Sequence, residues 1–216
     1  MINKRTQTIG VLFPNVSRSF SSALLHGIEE FAYNHNYSVV VCNTDEDGKR
    51  TLKCLQVLRE KQVDGIVFAS ELLKDEYYKV LEATMIPVVL VSSETDHPGV
   101  PYVKVDDRAA AYEATEYLIH KGHRRIAMIG GTKSDPLAGV PRVEGYAKED
   151  LSVIGYDNVE LAEMVVPPLT TVNQPLSEMG STACEKLIDM IETGKIAQNT
   201  IALHHIVERQ TVRALD

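Results

Sequence analysis

The sequence predicts an α/β protein with two Rossmann-like lobes, in each of which a parallel sheet is flanked by helices. Short β-branched runs alternate with amphipathic segments through the N-terminal half, and short polar connections separate them, as in βαβ units. A further buried run and a long amphipathic segment follow in the C-terminal part. The chain has 216 residues, of which 44% are hydrophobic, so it is long enough to bury the cores of two small lobes.

The first lobe contains alternating strand and helix candidates. The predicted strands are Thr8 to Phe13, Ser38 to Cys42, Gly65 to Ala69, Val88 to Val91 and Tyr102 to Val105. The predicted helices are Ser21 to Asn34, Gly48 to Lys61, Leu72 to Ala83 and Arg108 to His120. In the first helix, Leu24, Leu25, Ile28 and Phe31 recur at helical spacing and are expected to face the sheet. Asp107 is expected to cap the last helix.

The second lobe begins at a strand candidate, Arg125 to Gly131. Leu151 to Ile154 form a short, continuous apolar run, which predicts a parallel strand covered on both faces. Gly155 should let the chain turn where this strand ends. An amphipathic helix is predicted from Ser177 to Glu192, and Ile201 to Val207 alternate enough to form an edge or lobe-crossing strand.

The second lobe contains fewer elements than its sheet requires. Arg142 to Lys148 resembles the opening of a helix, yet Glu149 and Asp150 lead directly into the next buried run. So few strands would leave the faces of the sheet uncovered, and we expect several elements to be absent near residues 148–150. The predicted lobes are residues 7–122 with 175–198, and residues 123–174 with 199–216.

Charge and hydropathy limit the classes of partner. Lys and Arg number 22 against 30 Asp and Glu, so the net charge is −8, and no basic run is present. Phosphate neutralisation supplies most non-specific affinity for nucleic acid, so this chain is not expected to bind DNA alone. No apolar segment has the length that a signal peptide or a membrane helix requires, which predicts a cytoplasmic protein without a membrane partner.

The residues that could support metal or redox chemistry are scattered. Cys42, Cys54 and Cys184 form no C-x-x-C pair, and we expect reduced thiols that are buried or half-buried. His204 and His205 should point to opposite faces of a strand, so they cannot share a metal ion. No cofactor and no metal are therefore expected.

Catalytic motifs are missing from the sequence. The glycine-containing stretch from Gly130 to Gly139 matches neither a Walker loop nor G-x-G-x-x-G, and no G-x-S-x-G elbow occurs. The chain is therefore expected to bind a ligand without being an enzyme.

Candidate binding residues follow the predicted strands, since ligands bind at the carboxyl ends of strands in open α/β sheets. Ser19 and Phe20 lie at the start of the first helix, where a helix N-terminus favours anions and polar ligands. Phe20 could stack on a sugar or a base, or it could anchor the core. Ser70 follows the third strand and Asp106 the fifth.

The later part of the chain supplies two charged candidates. Asp157 lies just beyond the buried run that ends at Gly155, so its carboxylate should reach an open cleft. Arg142 is the strong cation expected to face this edge, and a guanidinium can hold two ligand oxygens at once, although an Arg at a helix start is more often on the surface.

The chain resembles the effector-binding core of the LacI/GalR family of bacterial transcription regulators. The runs that carry the resemblance are Lys4-Arg-Thr-Gln-Thr-Ile-Gly-Val-Leu-Phe-Pro14, Val63-Asp-Gly-Ile66, Val105-Asp106, Lys121-Gly-His-Arg-Arg-Ile126, Leu151-Ser-Val-Ile-Gly-Tyr-Asp-Asn158 and Pro168-Leu-Thr-Thr-Val-Asn-Gln-Pro175. Each run is weak alone, but together they occur in the family order over almost the whole chain.

The resemblance implies a periplasmic-binding-protein-like fold whose two lobes close on a small-molecule effector. It implies that Phe20 stacks on the effector, that Arg142 binds its oxygens and that Asp157 accepts from its hydroxyl or amine groups. It also implies a homodimer that binds operator DNA through an N-terminal helix-turn-helix outside this chain, and it allows a co-regulator protein. The alternatives are a periplasmic or extracellular sugar-binding protein and, third, an enzyme on a doubly wound fold.

Overall fold

The computed structural model describes residues 5–45, 47–123, 126, 153–212 and 214. The chain divides into two compact units, Met1–Lys104 with Leu176–Thr200 and Val105–Pro175 with Ile201–Asp216. These bounds differ from the predicted lobes mainly at the segment 105–122, which belongs to the second unit. The α/β class and the periplasmic-binding-protein-like fold are confirmed.

The first unit is built on a parallel sheet. Its strands are β1 (Thr8–Phe13), β2 (Ser38–Asn43), β3 (Gly65–Ala69), β4 (Val88–Val91) and β5 (Tyr102–Val105), and with β8 (Thr200–Ala202) they form one sheet in the order β2-β1-β3-β4-β5-β8. The pairs β1–β2, β1–β3, β3–β4 and β4–β5 are all parallel. The carboxyl ends of these strands therefore share one edge, which is where a ligand site is expected.

Helices cover both faces of this sheet. They are α1 (Ser19–Asn34), α2 (Gly48–Glu60), α3 (Asp75–Thr84) and, from the far end of the chain, α6 (Leu176–Thr193). Leu55, Leu58 and Tyr77 from α2 and α3 are buried in one cluster with Phe68 of β3. On α1, Leu24 and Ile28 are fully buried as predicted. Leu25 and Phe31 are only half-buried.

Helices α1 and α6 approach one another at two glycines. A Cβ atom added to Gly27 would lie 1.9 Å from the carbonyl oxygen of Ser177, and one added to Gly180 would lie 2.2 Å from that of Leu24. Ser181 Oγ also donates a hydrogen bond to the Gly27 carbonyl oxygen at 3.1 Å. The two backbones can pack this closely only because neither glycine carries a side chain.

The second unit contains a short sheet and two helices among its described residues. The elements are α4 (Asp107–His120), β6 (Gly155–Tyr156), α5 (Leu161–Met164), β7 (Thr171–Asn173) and β9 (His205–Val207). The strands pair in the order β6-β7-β9, with β6 parallel and β9 antiparallel to β7.

Most elements of the first lobe lie where the sequence predicts them, but three predictions in the second half are wrong. The strand expected at Leu151 to Ile154 is not formed at Val153 and Ile154, which precede β6, and Val153 is 52% exposed; Leu151 and Ser152 lie outside the described residues. The single strand expected from Ile201 to Val207 is two strands in different sheets. Asp106, and not Asp107, caps α4. The predicted strand from Arg125 to Gly131 and the gap near residues 148–150 lie outside the described residues.

None of the described helices combines the length and the apolar composition that crossing a membrane requires.

We predict that Gly27→Ala destabilises the first unit. The new Cβ would collide with the Ser177 backbone oxygen, and overpacking of this kind costs roughly 1–3 kcal/mol. Urea unfolding measures the change. Ser22→Ala on the exposed side of α1 is the control, because it raises helix propensity without entering the contact. Equal stability of Gly27→Ala and the parent would contradict the close approach of the two helices.

Candidate functional site

The loop between β1 and α1 is fixed to the end of the neighbouring strand β2. The backbone N–H of Val16 donates to Asn43 Oδ1 at 3.0 Å, and Asn15 Oδ1 accepts from both the backbone N–H and the hydroxyl of Ser17. The loop delivers Ser19, which is exposed, and Phe20, which is half-buried, to the first turn of α1. Phe20 is therefore partly accessible at the carboxyl edge of the first sheet, and it is not a fully buried anchor.

Two serines with unusual backbone geometry end adjacent strands of this sheet. Ser70 follows β3 with φ of 56°, and Ser92 follows β4 with φ of 53°, so both adopt the left-handed region that few residues other than glycine occupy. Both hydroxyl oxygens are buried and have no hydrogen-bond partner within the described part of the chain. Strain and an unpaired polar group at one edge are typical of functional positions. The sequence analysis named Ser70 and missed Ser92, although each serine directly follows a buried apolar strand.

The acid next to Ser70 has a structural role. Glu71 accepts hydrogen bonds from the hydroxyls of Thr44 at 2.7 Å and Thr51 at 3.0 Å, and both threonines are fully buried. Ser93 Oγ donates to the Glu71 carbonyl oxygen at 2.9 Å. These contacts join the segments that follow β2, β3 and β4, so they hold the edge of the sheet in one arrangement.

The acid pair after β5 has divided roles in the second unit. Asp106 Oδ1 accepts from the backbone N–H groups of Arg108 at 3.1 Å and Ala109 at 3.0 Å, which satisfies donors at the N-terminus of α4. Asp107 is buried within the first turn, and its Oδ1 accepts from the Tyr156 hydroxyl at 3.1 Å. Asp157 directly follows Tyr156, so this bond places Asp106, Asp107 and Asp157 in one acidic cluster of the second unit.

The turn that presents Asp157 is made by two residues in the left-handed region. Asp157 has φ of 80° and Asn158 has φ of 47°. The sequence predicted that Gly155 would make this turn, but it does not. It lies in β6, where a Cβ atom would come within 2.6 Å of Leu169 Cδ2. Gly155 therefore packs closely against the Leu169 side chain, whereas the turn itself depends on Asp and Asn, which tolerate this conformation.

Side chains from neighbouring segments hold the turn at Asp157. Gln174 is buried, and its Nε2 donates to Asp157 Oδ1 at 2.6 Å. Asn158 Nδ2 donates to Asn173 Oδ1 at 2.9 Å. A carboxylate that is already held in one orientation can accept a hydrogen bond from a ligand without a further loss of side-chain conformational entropy.

Arg209 is the cation at the centre of these contacts, and the sequence analysis missed it. Its guanidinium donates to the Leu169 carbonyl oxygen at 2.9 Å, to Asn158 Oδ1 at 2.9 Å and to Glu163 Oε1 at 2.7 Å. The side chain is only 12% exposed. A lone Arg near the end of a chain carries no pattern in the sequence, so the fold alone reveals this role.

The segment that carries Arg209 is also attached to α4. Lys121 Nζ donates to Glu208 Oε1 at 2.8 Å. This bond lowers the pKa of Glu208 below its ordinary value, and the nearby Tyr117 hydroxyl acts in the same direction. Glu208 thus stays ionised, and the segment before Arg209 remains fixed.

The predicted site residues fall into two groups. Ser19, Phe20 and Ser70 lie at the carboxyl edge of the first sheet, and Asp106 and Asp157 lie in the acidic cluster of the second unit. Arg142 lies outside the described residues. The described residues include no group of three or more side chains that could hold a metal ion.

Comparison with known proteins identifies the family of the chain. Residues 6–164 match the model of periplasmic binding proteins and the sugar-binding domain of the LacI family. The chain belongs to this family. A second model, of periplasmic binding protein-like domains, matches residues 147–212.

Named relatives of this LacI-family chain are transcription regulators. Catabolite control protein A from Priestia megaterium is 27% identical over 278 residues, covering 99% of this chain and 84% of that protein. The HTH-type transcriptional regulator DegA from Bacillus subtilis is 30% identical over 246 residues, covering 84% and 73%. The structure of a LacI family transcriptional regulator from Enterococcus faecium with bound ribose has the same fold, with a TM-score of 0.83, 24% identity, and coverage of 97% and 100%.

The alignment with catabolite control protein A indicates that this chain lacks internal residues that this relative has. The alignment spans 278 positions and this chain has 216 residues, so at least 278 − 216 = 62 positions have no counterpart here. The sequence analysis expected missing elements in the second lobe. Their location near residues 148–150 stays a prediction.

We predict that Arg209→Met destabilises the protein by about 2 kcal/mol, because the part-buried acceptors on Leu169 and Asn158 would lose their charged donor. Chemical unfolding measures this change. Arg50→Met is the matched control, since Arg50 forms a half-exposed ion pair with Asp45 and such pairs contribute about 0–1 kcal/mol. Similar effects of the two substitutions would contradict the central position of Arg209.

Proposed function

We propose that this chain is the effector-binding and dimerisation core of a cytoplasmic LacI-type transcription regulator, and that its effector is a sugar or a sugar derivative. The family match and the regulator names of its relatives support the regulatory role, and they favour it over a transporter's sugar-binding protein. The ribose bound to the Enterococcus faecium regulator supports the effector class.

The acidic cluster of the second unit is the observation that carries this proposal. Asp107 Oδ1 accepts from the Tyr156 hydroxyl, and Asp157 Oδ1 accepts from Gln174 Nε2, so each carboxylate is held in one orientation. Carboxylates arranged in this way accept hydrogen bonds from ligand hydroxyls, which are the main polar groups of sugars. Side chains of this kind, few and fixed in place, orient ligands in binding sites.

We further propose, from the sequence and the family resemblance, that Phe20 and Arg142 contribute to effector binding. Phe20 stacks on the apolar face of the sugar ring, and Arg142 binds two of its oxygens. Ser70 and Ser92 gain hydrogen-bond partners when the loops after β3 and β4 move to admit the ligand. Effector binding then shifts the population between two conformational states of the regulator. These states differ in operator affinity, because a helix-turn-helix segment outside this chain binds the DNA.

We also propose that the chain forms a homodimer through the segment around α5. Leu161 is 60% exposed, Met164 69% and Val166 95%. Three large apolar side chains within six residues form a surface that another protein surface would stabilise by removing it from water. A second copy of the chain is the occupant that we propose, in keeping with the dimeric regulators of this family. A co-regulator protein would bind elsewhere on the dimer.

We predict that a pentose or hexose from a panel that includes ribose raises the melting temperature of the chain. Ligand at a hundred times its dissociation constant adds about 2.7 kcal/mol to the free energy of unfolding. Asp157→Asn should weaken binding by about 10-fold to 100-fold, since a hydrogen bond to a charged group contributes about 1.5–3 kcal/mol. Phe20→Ala and Arg142→Ala should also reduce the thermal shift.

Glu116→Gln is the control for the sugar experiment, because Glu116 is an exposed carboxylate on α4 of the same unit and its contact is with Tyr112, outside the acidic cluster. It should bind the sugar with the affinity of the parent. A panel in which no sugar stabilises the parent would contradict the effector class. A sugar that stabilises Asp157→Asn as much as the parent would contradict the site.

For the dimer, we predict that Met164→Glu shifts the chain toward the monomer in sedimentation equilibrium, because a buried, unpaired carboxylate is strongly unfavourable. Met85→Glu in the first unit is the control, since Met85 is 89% exposed and lies outside this surface. A parent that is monomeric at micromolar concentration, or a Met164→Glu variant that remains dimeric, would contradict the proposed interface.

A further inference from the structure

Two of the three thiols lie side by side in the first unit. Cys42 lies near the end of the edge strand β2, and Cys54 lies on α2. Cys54 Sγ is 3.8 Å from the carbonyl oxygen of Asn43, the residue after Cys42. Both are half-buried against the same apolar cluster, whereas Cys184 is fully buried on α6.

We propose that Cys42 and Cys54 form a dithiol that closes into an intramolecular disulfide on exposure to a low-molecular-weight disulfide such as oxidised glutathione. One thiolate attacks a sulfur of the oxidant and releases one glutathione thiolate. The second cysteine then attacks the protein sulfur of the mixed disulfide and releases the other. The pair loses two electrons and two protons, and the oxidant becomes two thiols.

The surroundings of the pair favour closure over a stable mixed disulfide. Cys54 Sγ already lies against the backbone of the residue after Cys42, and both cysteines pack against one cluster, so the closing step needs no long movement of the chain. The apolar cluster beside the pair accommodates a disulfide as it does the two thiols. The new bond would join the edge strand β2 to the helix that covers it.

The reaction should be slow at neutral pH. Burial and, to a smaller extent, the neighbouring Cys54 raise the pKa of Cys42 to about 11, while Lys61 acts in the opposite direction. Cys42 must be a thiolate in either order of reaction, since it attacks the oxidant or closes the mixed disulfide. The thiolate fraction of such a group grows about tenfold for each pH unit below its pKa, so oxidation accelerates as the pH rises.

Oxidation by glutathione disulfide tests the proposal. The reduced protein is incubated with the oxidant at pH 7 and pH 8, alkylated with N-ethylmaleimide and mapped by mass spectrometry. We expect a peptide pair linked through Cys42 and Cys54, formed about tenfold faster at pH 8, with Cys184 alkylated only after unfolding. Cys42→Ser and Cys54→Ser should each stop at the mixed disulfide with glutathione, and Cys184→Ser should behave as the parent.

Peptide mapping of the parent decides the matter even if a variant fails to fold. Alkylation of both Cys42 and Cys54 after prolonged oxidation, a stable glutathione adduct on the parent, or a disulfide that involves Cys184 would each overturn the proposal. None of these results depends on the identity of the effector or on regulation of DNA binding.

Discussion

The contact between the backbones of α1 and α6 is the constraint on which the first unit depends. The longer stretch of the second unit, Val105–Pro175, lies between α1 and α6 along the chain, yet α6 packs over the same sheet, with Leu187 against Gly65 of β3. Its return is stabilised where Gly27 and Gly180 let the two helices touch without side chains between them. The chain must therefore leave the first unit and come back to it. Its two compact units are each built from separate stretches of sequence.

Polar groups at the strand ends serve two purposes, and the structure separates them. Glu71 and Asp106 stabilise the fold, since their oxygens accept from buried hydroxyls or from helix N–H groups. Asp107 and Asp157 are held by neutral side chains of the second unit, and Arg209 fixes the turn beside them from a part of the chain that has no motif. A site that recognises hydroxyl groups needs acceptors whose positions do not change on binding. The surrounding contacts supply that rigidity.

The cysteines show how folding creates chemistry that spacing conceals. Cys42 and Cys54 are distant in the sequence by the standards of metal or redox motifs, and the sequence analysis treated them as separate thiols. They meet because α2 packs back over the strand that precedes it, which is the ordinary geometry of a βαβ unit. Burial then sets their reactivity by raising the pKa of Cys42.

The sequence by itself determined the α/β class, the strands and helices of the first unit and the family, because alternating periodicity and ordered short motifs are local properties of the chain. It also selected Phe20, Ser70 and Asp157 by their positions after buried strands. Only the tertiary structure decided which neighbour each polar group binds: that Asp106 caps α4, that Gly155 packs on Leu169, and that Arg209 supports the turn at Asp157. Hydrogen-bond partners and close backbone contacts join residues far apart in the chain, and such pairings leave no periodic signal in one sequence.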